Sequence, residues 1–333
     1  MYVHAVIVTY ADRFHLLKQV IEACFRESVD KVIVIDNNSD KNSKNLLREY
    51  NKDENRLRVV YLDKNTGSAG GYKRGLYEAC QDSDCEFIWL LDDDNQPQKD
   101  SLDTLKFFWS SLVQGDKEVK VSLLSYREDR TVYKEAIMTN NPNLVIGKRN
   151  SFLGFHIVDL PKKIMKVFKR KFNIQTFKEN KDLKSGLVTV APYGGMYFHK
   201  NILNTIGYPN EDFFVYADDH DWSYRILKNG GSIYLVLDSL VDDIDTSWHI
   251  KSSSQIPFIN YLFYGTDFRV YYAIRNRTYF EINSLVNNKL IYKINKFLFM
   301  NILILINFFS RKSKNRMKII KSALLHDTHQ KIC

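Results

Sequence analysis

A mostly parallel α/β sheet covered by helices is the fold predicted for most of this chain, on three observations. Apolar, β-rich runs alternate with helically spaced segments through the first hundred residues. Three of those runs finish in polar or acidic clusters: Thr9–Tyr10, Asp36–Asn37–Asn38 and Asp92–Asp93–Asp94. Right-handed crossovers between parallel strands bring all such carboxyl ends to one crevice, where ligand sites of open α/β sheets lie.

Tyr2–Thr9 reads as the first strand, and the apolar spacing of Leu16–Arg26 predicts the first helix. Lys31–Asp36 (KVIVID) is continuously apolar, as a strand covered on both faces must be, and it ends in Asp/Asn/Ser turn chemistry. Ser43–Tyr50 predicts a helix and Leu57–Tyr61 a third strand. Gly70–Cys80 reads as a helix approached through glycines, and Phe87–Leu91 (FIWLL) as a fourth strand. A helix over Leu102–Leu112 and a strand over Val119–Ser125 follow. Periodicity then weakens until Gly186–His199, a hairpin or pair of strands around Pro192 and Gly194–Gly195. Phe213–Asn229 runs from a loop into an acid-rich helix, Ser232–Leu237 is another strand, and from Asn260 onward the pattern is helical.

Hydrophobic residues at 44% and charged residues at 26% exclude a disordered chain. Cys24, Cys80, Cys85 and Cys333 have neither metal-ligand nor disulfide-framework spacing, and no basic–apolar leader precedes the first strand. A reducing, cytoplasmic setting is therefore expected.

Four clusters carry chemistry. Asp92, Asp93 and Asp94 repel one another unless a cation neutralises them, and hard carboxylate oxygens suit Mg2+ or Mn2+. A solvated acidic turn is the bland account, outweighed here by the apolar strand in front and the other strand-end groups. Asn65–Gly71 (NTGSAGG) lets backbone N–H groups approach an anion at a helix N-terminus, with Lys73 and Arg74 adding charge. It is neither a Walker sequence nor GxGxxG. Asp218–Asp219–His220–Asp221 suits helix capping, or a general base whose neighbours raise its pKa. His249, after Trp248, is chemically acceptable as a third metal ligand beside carboxylates, although a lone His is more often structural. Hydrolase signatures GxSxG, HExxH and CxxC do not occur.

The segments VIVTYADR, VIDNNSD, NTGSAGGYKRG, LLDDDNQP and FFVYADDHDWSYR stand in the order seen in family-two inverting glycosyltransferases of the GT-A fold. The chain resembles that family over roughly residues 2–280. Within it, NTGSAGGYKRG, the triple aspartate and Trp248–His249 look like the bacterial galactofuranosyltransferases that use UDP-galactofuranose. Rhamnosyltransferases using dTDP-rhamnose share most of the frame. The resemblance implies a Rossmann-like nucleotide-binding sheet with a helical C-terminal extension, and it implies roles. Thr9 and Asp36 would hold the uracil and ribose of a UDP-sugar, with Arg13 near the nucleotide. Asn65, Gly70, Gly71 and Arg74 would lie beside the diphosphate or donor sugar, and Asp93 is grouped with the donor-binding residues. Asp92 and Asp94 would bind Mn2+ or Mg2+ with His249. Asp219 would be the catalytic base with Asp218 its nearest rival, although His220 stands where the family has a small residue. Tyr271–Phe280 (YYAIRNRTYF) also resembles a family stretch, in which Arg275, Asn276 and Arg277 would support the diphosphate or acceptor loop.

The net charge of +9 raises nucleic acid, acidic lipid or a phosphorylated substrate as partners. Its distribution decides between them. Residues 1–281 hold 38 basic and 38 acidic side chains, so the entire excess lies in residues 282–333. No nucleic-acid-binding motif accompanies it, and none is expected as a partner. Residues 161–184, with nine Lys/Arg and two acids, predict an exposed basic loop or helix. In the tail, Phe297–Phe309 is shorter than the roughly 20 apolar residues that span a bilayer. Tyr292–Arg311, followed by Lys312, Lys314, Arg316, Lys318 and Lys321, predicts a helix lying on an anionic membrane surface. The competing expectation is a helix packed on the catalytic body, or a contact between copies of the chain in a homo-oligomer. The expected organisation is thus a catalytic domain over 1–281 and an apolar, basic extension over 282–333. The expected acceptor is a lipid-linked surface glycan, such as a capsule or O-antigen precursor, met at the inner face of the cell membrane.

Overall fold

The computed structural model describes residues 1–161, 165, 180, 182–245, 265–308 and 314–329. It divides into two compact units, the first formed by Met1–Val145, Asn180–Phe214 and Asp218–Asp245, the second by Ile146–Glu179, Val215–Ala217 and Thr246–Cys333.

The first unit is built on a nine-stranded sheet. Its strands are β1 (Val3–Thr9), β2 (Lys31–Asp36), β3 (Leu57–Tyr61), β4 (Phe87–Asp92), β5 (Asn95–Pro97), β6 (Val121–Tyr126), β7 (Ser185–Val188), β8 (Met196–His199) and β9 (Ser232–Asp243). They are ordered β3-β2-β1-β4-β8-β6-β9-β5, with β7 also on β9. β3, β2, β1 and β4 are mutually parallel, as the strand–helix alternation predicts. Register sets Thr9 opposite Asp36 and Val8 opposite Asp92, so the predicted polar strand ends do meet along one edge.

Among the described residues, six helices of eight residues or more cover the sheet: α1 (Phe14–Arg26), α2 (Lys41–Lys52), α3 (Gly67–Gln81), α4 (Ser101–Ser111), α5 (Thr131–Met138) and α6 (Asp218–Lys228). Successive strand residues point to opposite faces. Ile33, Ile35, Ile88 and Leu90 therefore pack with Tyr72 and Leu76 of α3 and Trp222 of α6, while Val32, Val34, Trp89 and Leu91 pack with α1 and α4. Helix α3 lies unusually close to β1 because it carries glycine there. A Cβ on Gly75 would stand 2.3 Å from Val6 Cγ1, and one on Gly71 2.6 Å from Val8 Cγ1.

Three features differ from expectation. Gly186–His199 does supply two strands, but not a hairpin: β8 runs antiparallel between β4 and β6, while β7 pairs with β9. Strand β9 continues to Asp243 instead of ending at Leu237, because the short β5 pairs with its last turns at Asn95↔Asp243. Helix α5 was not anticipated. The predicted basic segment 161–184 falls almost wholly outside the described residues.

In the second unit, α7 (Asp267–Phe280) runs on through Glu281–Leu285, and α8 (Lys289–Phe308) and α9 (Lys314–His329) follow. Phe152, Phe155, Ile274, Phe299, Leu303 and Ile320 form its core. Glu281, 1% exposed, accepts from the Leu153 and Gly154 backbone N–H groups (2.9 and 3.2 Å) and from Arg277 Nε (2.9 Å), which offsets part of the cost of burying it. Helix α8 buries Tyr292, Asn295, Phe299 and Leu303. Its opposite face leaves Leu290, Ile294, Phe297, Ile304 and Leu305 in solvent, with Leu290 and Phe297 68% and 67% exposed. The helix begins earlier than the apolar run, and Lys289–Asn307 is long and apolar enough to cross a membrane by length and composition.

Candidate active site

The acids after β4 are held by residues from four other segments. Asp92 Oδ1 accepts from Tyr72 Oη on α3 at 2.6 Å. Asp93, buried, accepts from Thr9 Oγ1 at 2.7 Å and from Arg13 Nε at 2.9 Å. Asp94 Oδ2 pairs with Arg13 Nη2 at 2.7 Å, and Arg13 Nη1 reaches Asp245 Oδ2 at 2.6 Å. Arg127 in turn pairs with Asp129 at 3.1 Å and with Asp243 at the end of β9.

Electrostatics here are dominated by crowding. Burial disfavours the Arg13 charge, but Asp93, Asp245 and Asp94 more than offset it and raise its pKa further. Asp93 is raised to about 6 by burial and by Asp92, against the pull of Arg13 and Thr9. Asp94 is raised to about 7 by burial, then by Asp92, Asp93 and Asp243. Carboxylates so displaced mark a site where positive charge is in deficit.

That deficit fits a divalent cation in charge and in donor type, since all the groups offer hard oxygen. Of the residues that resemblance names for it, Asp92 accepts from Tyr72, and both oxygens of Asp94 are engaged, by Arg13 and by Asn95 Nδ2. Among the described residues no three His, Cys, Asp or Glu side chains converge as a complete metal site. His249, the expected third ligand, and Trp248 lie outside the described residues.

The glycine segment folds around Asn37, whose side chain accepts from Thr66 N (2.8 Å) and Thr66 Oγ1 (3.0 Å) and donates to Asn65 Oδ1 (3.2 Å) and Gly67 O (2.9 Å). Gly67 has φ +71°, and a Cβ there would lie 1.9 Å from Phe214 O, so only glycine is accommodated. Ala69 N donates to that same carbonyl at 3.2 Å. Gly70 lies against Thr66 and Gly71 against Val8, so both serve packing of α3 whatever else they do. Arg74 is half-exposed and pairs with Glu78 at 2.7 Å; Lys73 pairs with Glu211. Asp36 is fully buried: Oδ1 accepts from Ser39 N at 2.7 Å, whereas Oδ2 has no hydrogen-bond partner and Lys44 Nζ stands 4.0 Å away.

The second acid set opens α6. Asp218, 4% exposed, accepts from Ser68 Oγ at 2.7 Å and is raised to about 7 by burial and by Asp219, partly offset by that hydrogen bond. Asp219 is half-buried and accepts from His220 N at 2.8 Å. The backbone before α6 is strained, with φ of +62°, +68° and +58° at Phe214, Tyr216 and Ala217. Within the second unit, Asn276 Nδ2 donates to Val215 O (2.7 Å) and Tyr216 O (3.0 Å) and so braces that turn.

The structure thus brings Thr9, Arg13, Asp92, Asp93 and Asp94 into one network, and joins Asp218 to the glycine segment. Sequence reasoning did not single out Ser68, Tyr72, Asn37, Arg127, Asp243 or Asp245 as site residues. Ser68 and Tyr72 carried a usable signal: they stand four apart inside NTGSAGGYKRG, hence on one helical face. Arg127 and Asp243 had none, because their pairing is entirely long-range.

No curated protein matches this chain. Residues 5–207 match the family described as glycosyl transferase family 2. Among solved structures the chain is similar to GalNAc-T7 with UDP, GalNAc and Mn2+, at 13% identity over 89% of this chain and 53% of that one, with a TM-score of 0.51. It is also similar to residues 1–349 of S. aureus TarS in complex with UDP-GlcNAc, at 14% identity over 86% and 67% of the two chains, TM-score 0.49. A third is the mannosyltransferase PcManGT from Pyrobaculum calidifontis in complex with GDP-Man and Mn2+, at 13% identity over 99% and 88%, TM-score 0.49. The chain spans about half the length of the first of these (53%), and likeness at such identity is one of fold.

Proposed function

This chain belongs to glycosyl transferase family 2, with the GT-A-like sheet and helical C-terminal region described above, and we propose that it is a metal-dependent inverting enzyme. In this reading it moves galactofuranose from UDP-galactofuranose to a hydroxyl of a lipid-linked surface glycan. One observation supports it above the others. Ser68 and Tyr72, one turn apart on α3, hold Asp218 at 2.7 Å and Asp92 at 2.6 Å. The helix whose N-terminus would attract a diphosphate therefore fixes both acid sets beside it.

Thr9 and Arg13 brace Asp93, and with Asp36 they belong to the nucleoside side of the donor. Asn65, Gly70, Gly71 and Arg74 belong to its diphosphate side. Asp92 and Asp94, with His249, would hold Mn2+ or Mg2+, which supplies Lewis-acid stabilisation of the departing diphosphate. Asp219 accepts the proton of the acceptor hydroxyl. Its oxygen bonds to the anomeric carbon from the face opposite UDP, the carbon–phosphate oxygen bond breaks, and configuration inverts. A single base is needed, in contrast to the flanking carboxylate pair of a glycosidase.

A donor screen with Mn2+ tests this. UDP-galactofuranose is expected to turn over at least about tenfold faster than dTDP-rhamnose, a difference of roughly 1.4 kcal/mol in transition-state binding. The reverse order would move the enzyme to the rhamnosyl donor.

The outward face of α8 supports peripheral attachment to the inner face of the membrane. Leu290, Ile294, Phe297, Ile304 and Leu305 project there, and Lys289, Lys293, Lys318 and Lys321 are exposed on α8 and α9. Such a helix lies in the interface, with basic side chains on acidic headgroups. The protein is expected to sediment with phosphatidylglycerol-containing vesicles, weakly with pure phosphatidylcholine, and less in high salt. Phe297→Ser with Leu290→Ser should release it. Absence of vesicle binding together with concentration-dependent dimers would assign the face to a second copy.

A further inference from the structure

One hollow of the first unit borders both acid sets and takes no part in the roles above. Its walls include Arg127, Arg130, Tyr133, Pro192, Gly194 and Leu235. Gly194 abuts the strand-end acids, since a Cβ there would come within 2.8 Å of Asp92 Oδ2. Tyr133 borders the other set: burial raises its phenol, Asp219 raises it further, and Arg130 acts in the opposite sense. The hollow, about 10 Å³, opens beside Asp92 and lies within electrostatic reach of Asp219.

Two wall residues are chemically incomplete. Arg127 is committed to Asp129, Asp243 and Asn95. Arg130, at the start of α5, has no carboxylate partner among the described residues. Tyr133 lies three positions on, so the two side chains share one face of that helix turn. Tyr133 is 4% exposed; Arg130 stands beside its phenol oxygen as a donor, and its own O–H has no acceptor. Buried hydroxyls are paired in folded proteins as a rule, so this one awaits an acceptor. A planar guanidinium with an adjacent O–H donor is complementary to carboxylate or phosphate oxygen. No residue of the glycine segment contributes to the wall.

We propose that Arg130 and Tyr133 form a subsite for an anionic oxygen group, carboxylate or phosphate, carried by a substrate next to the reacting centre. Its place in the reaction rests on the transferase reading; its chemistry does not. With a neutral donor sugar the anion belongs to the acceptor.

Calorimetry on the full chain with Mn2+ and saturating UDP, using inorganic phosphate and free glucuronate as probes, tests the subsite. Arg130→Gln is expected to weaken both probes roughly 10- to 100-fold, the scale of a lost charge-assisted hydrogen bond, with UDP affinity unchanged. Arg130→Lys should retain part of the binding, and Tyr133→Phe, which removes only the hydroxyl, should weaken it less than Arg130→Gln. Comparing UDP-glucuronate with UDP-glucose locates the anion. Equal affinities place it on the acceptor, whereas a preference for the glucuronate that Arg130→Gln abolishes places it on the donor. Probe and donor affinities that are indifferent to all three substitutions overturn the proposal. Probe binding without any UDP binding would instead overturn the transferase reading and leave the anion subsite standing.

Discussion

Replacing Asp94 by Asn is expected to move activity and stability in opposite directions. Turnover should fall roughly 10²- to 10⁴-fold, because one of two carboxylates proposed to hold the metal loses its charge, and such a cation contributes several kcal/mol to the transition state. The folded state should become more stable above neutral pH. Asp94 is raised to about 7 by burial and by Asp92, Asp93 and Asp243, so its ionised form is disfavoured in the fold despite its pairing with Arg13. The sign follows from linkage: a carboxyl whose folded pKa exceeds its unfolded one binds more protons when folded, and stability is lost as pH rises through the folded value. Asparagine keeps the shape and removes that loss. Thermal unfolding without added metal, at about pH 8, should therefore show a higher Tm for the variant. Asp92→Asn should match the loss of turnover. A variant that loses both activity and stability would mean that Asp94 is a structural partner of Arg13 and not a ligand.

How far the chain could be read without its structure depended on the range of the interactions involved. The strands Lys31–Asp36 and Leu57–Tyr61 coincide with β2 and β3 residue for residue, because an apolar run bounded by turn residues is a local signal. The triple aspartate was legible for the same reason: repulsion between adjacent carboxylates needs no tertiary knowledge. Its neutralising partner was not. Arg13 stands 80 positions from Asp93, and nothing near VTYADR says that its guanidinium turns onto three carboxylates. Resemblance puts Arg13 near the nucleotide; its contacts with Asp93, Asp94 and Asp245 come only with the fold. Strand pairing was equally out of reach. Short β5 has no pattern of its own, and β7 and β8 look like a hairpin until the partners that complete the sheet are known. The face of α8 was half legible, since the sequence showed an apolar, basic helix but not which side the second unit would cover.

Asp219→Asn carries the other large expected loss. Positioned bases contribute about 10²- to 10⁴-fold, and kcat should fall by that factor while UDP affinity and the donor KM hold. Asp219 rather than Asp218 is the proposed base on geometric grounds. Asp218 is buried and already accepts from Ser68, so its lone pairs face the protein, whereas Asp219 is half-buried beside it. The two carboxyls still act as a pair. Asp218 is raised to about 7 by burial and by Asp219, so near neutrality the pair retains a proton that a solvated carboxylate would have lost. A base works only when deprotonated, so the rate should fall as pH drops below about 7, and that acid limb belongs to the pair. Asp218→Asn removes the raised carboxyl from the pair. It should shift the limb to lower pH while leaving substantial activity at the plateau. Ser68→Ala removes the hydrogen bond that favours the ionised form of Asp218, and should move the limb upward. If Asp218→Asn is inactive and Asp219→Asn retains its plateau, the base is Asp218 and Ser68 is its orienting partner.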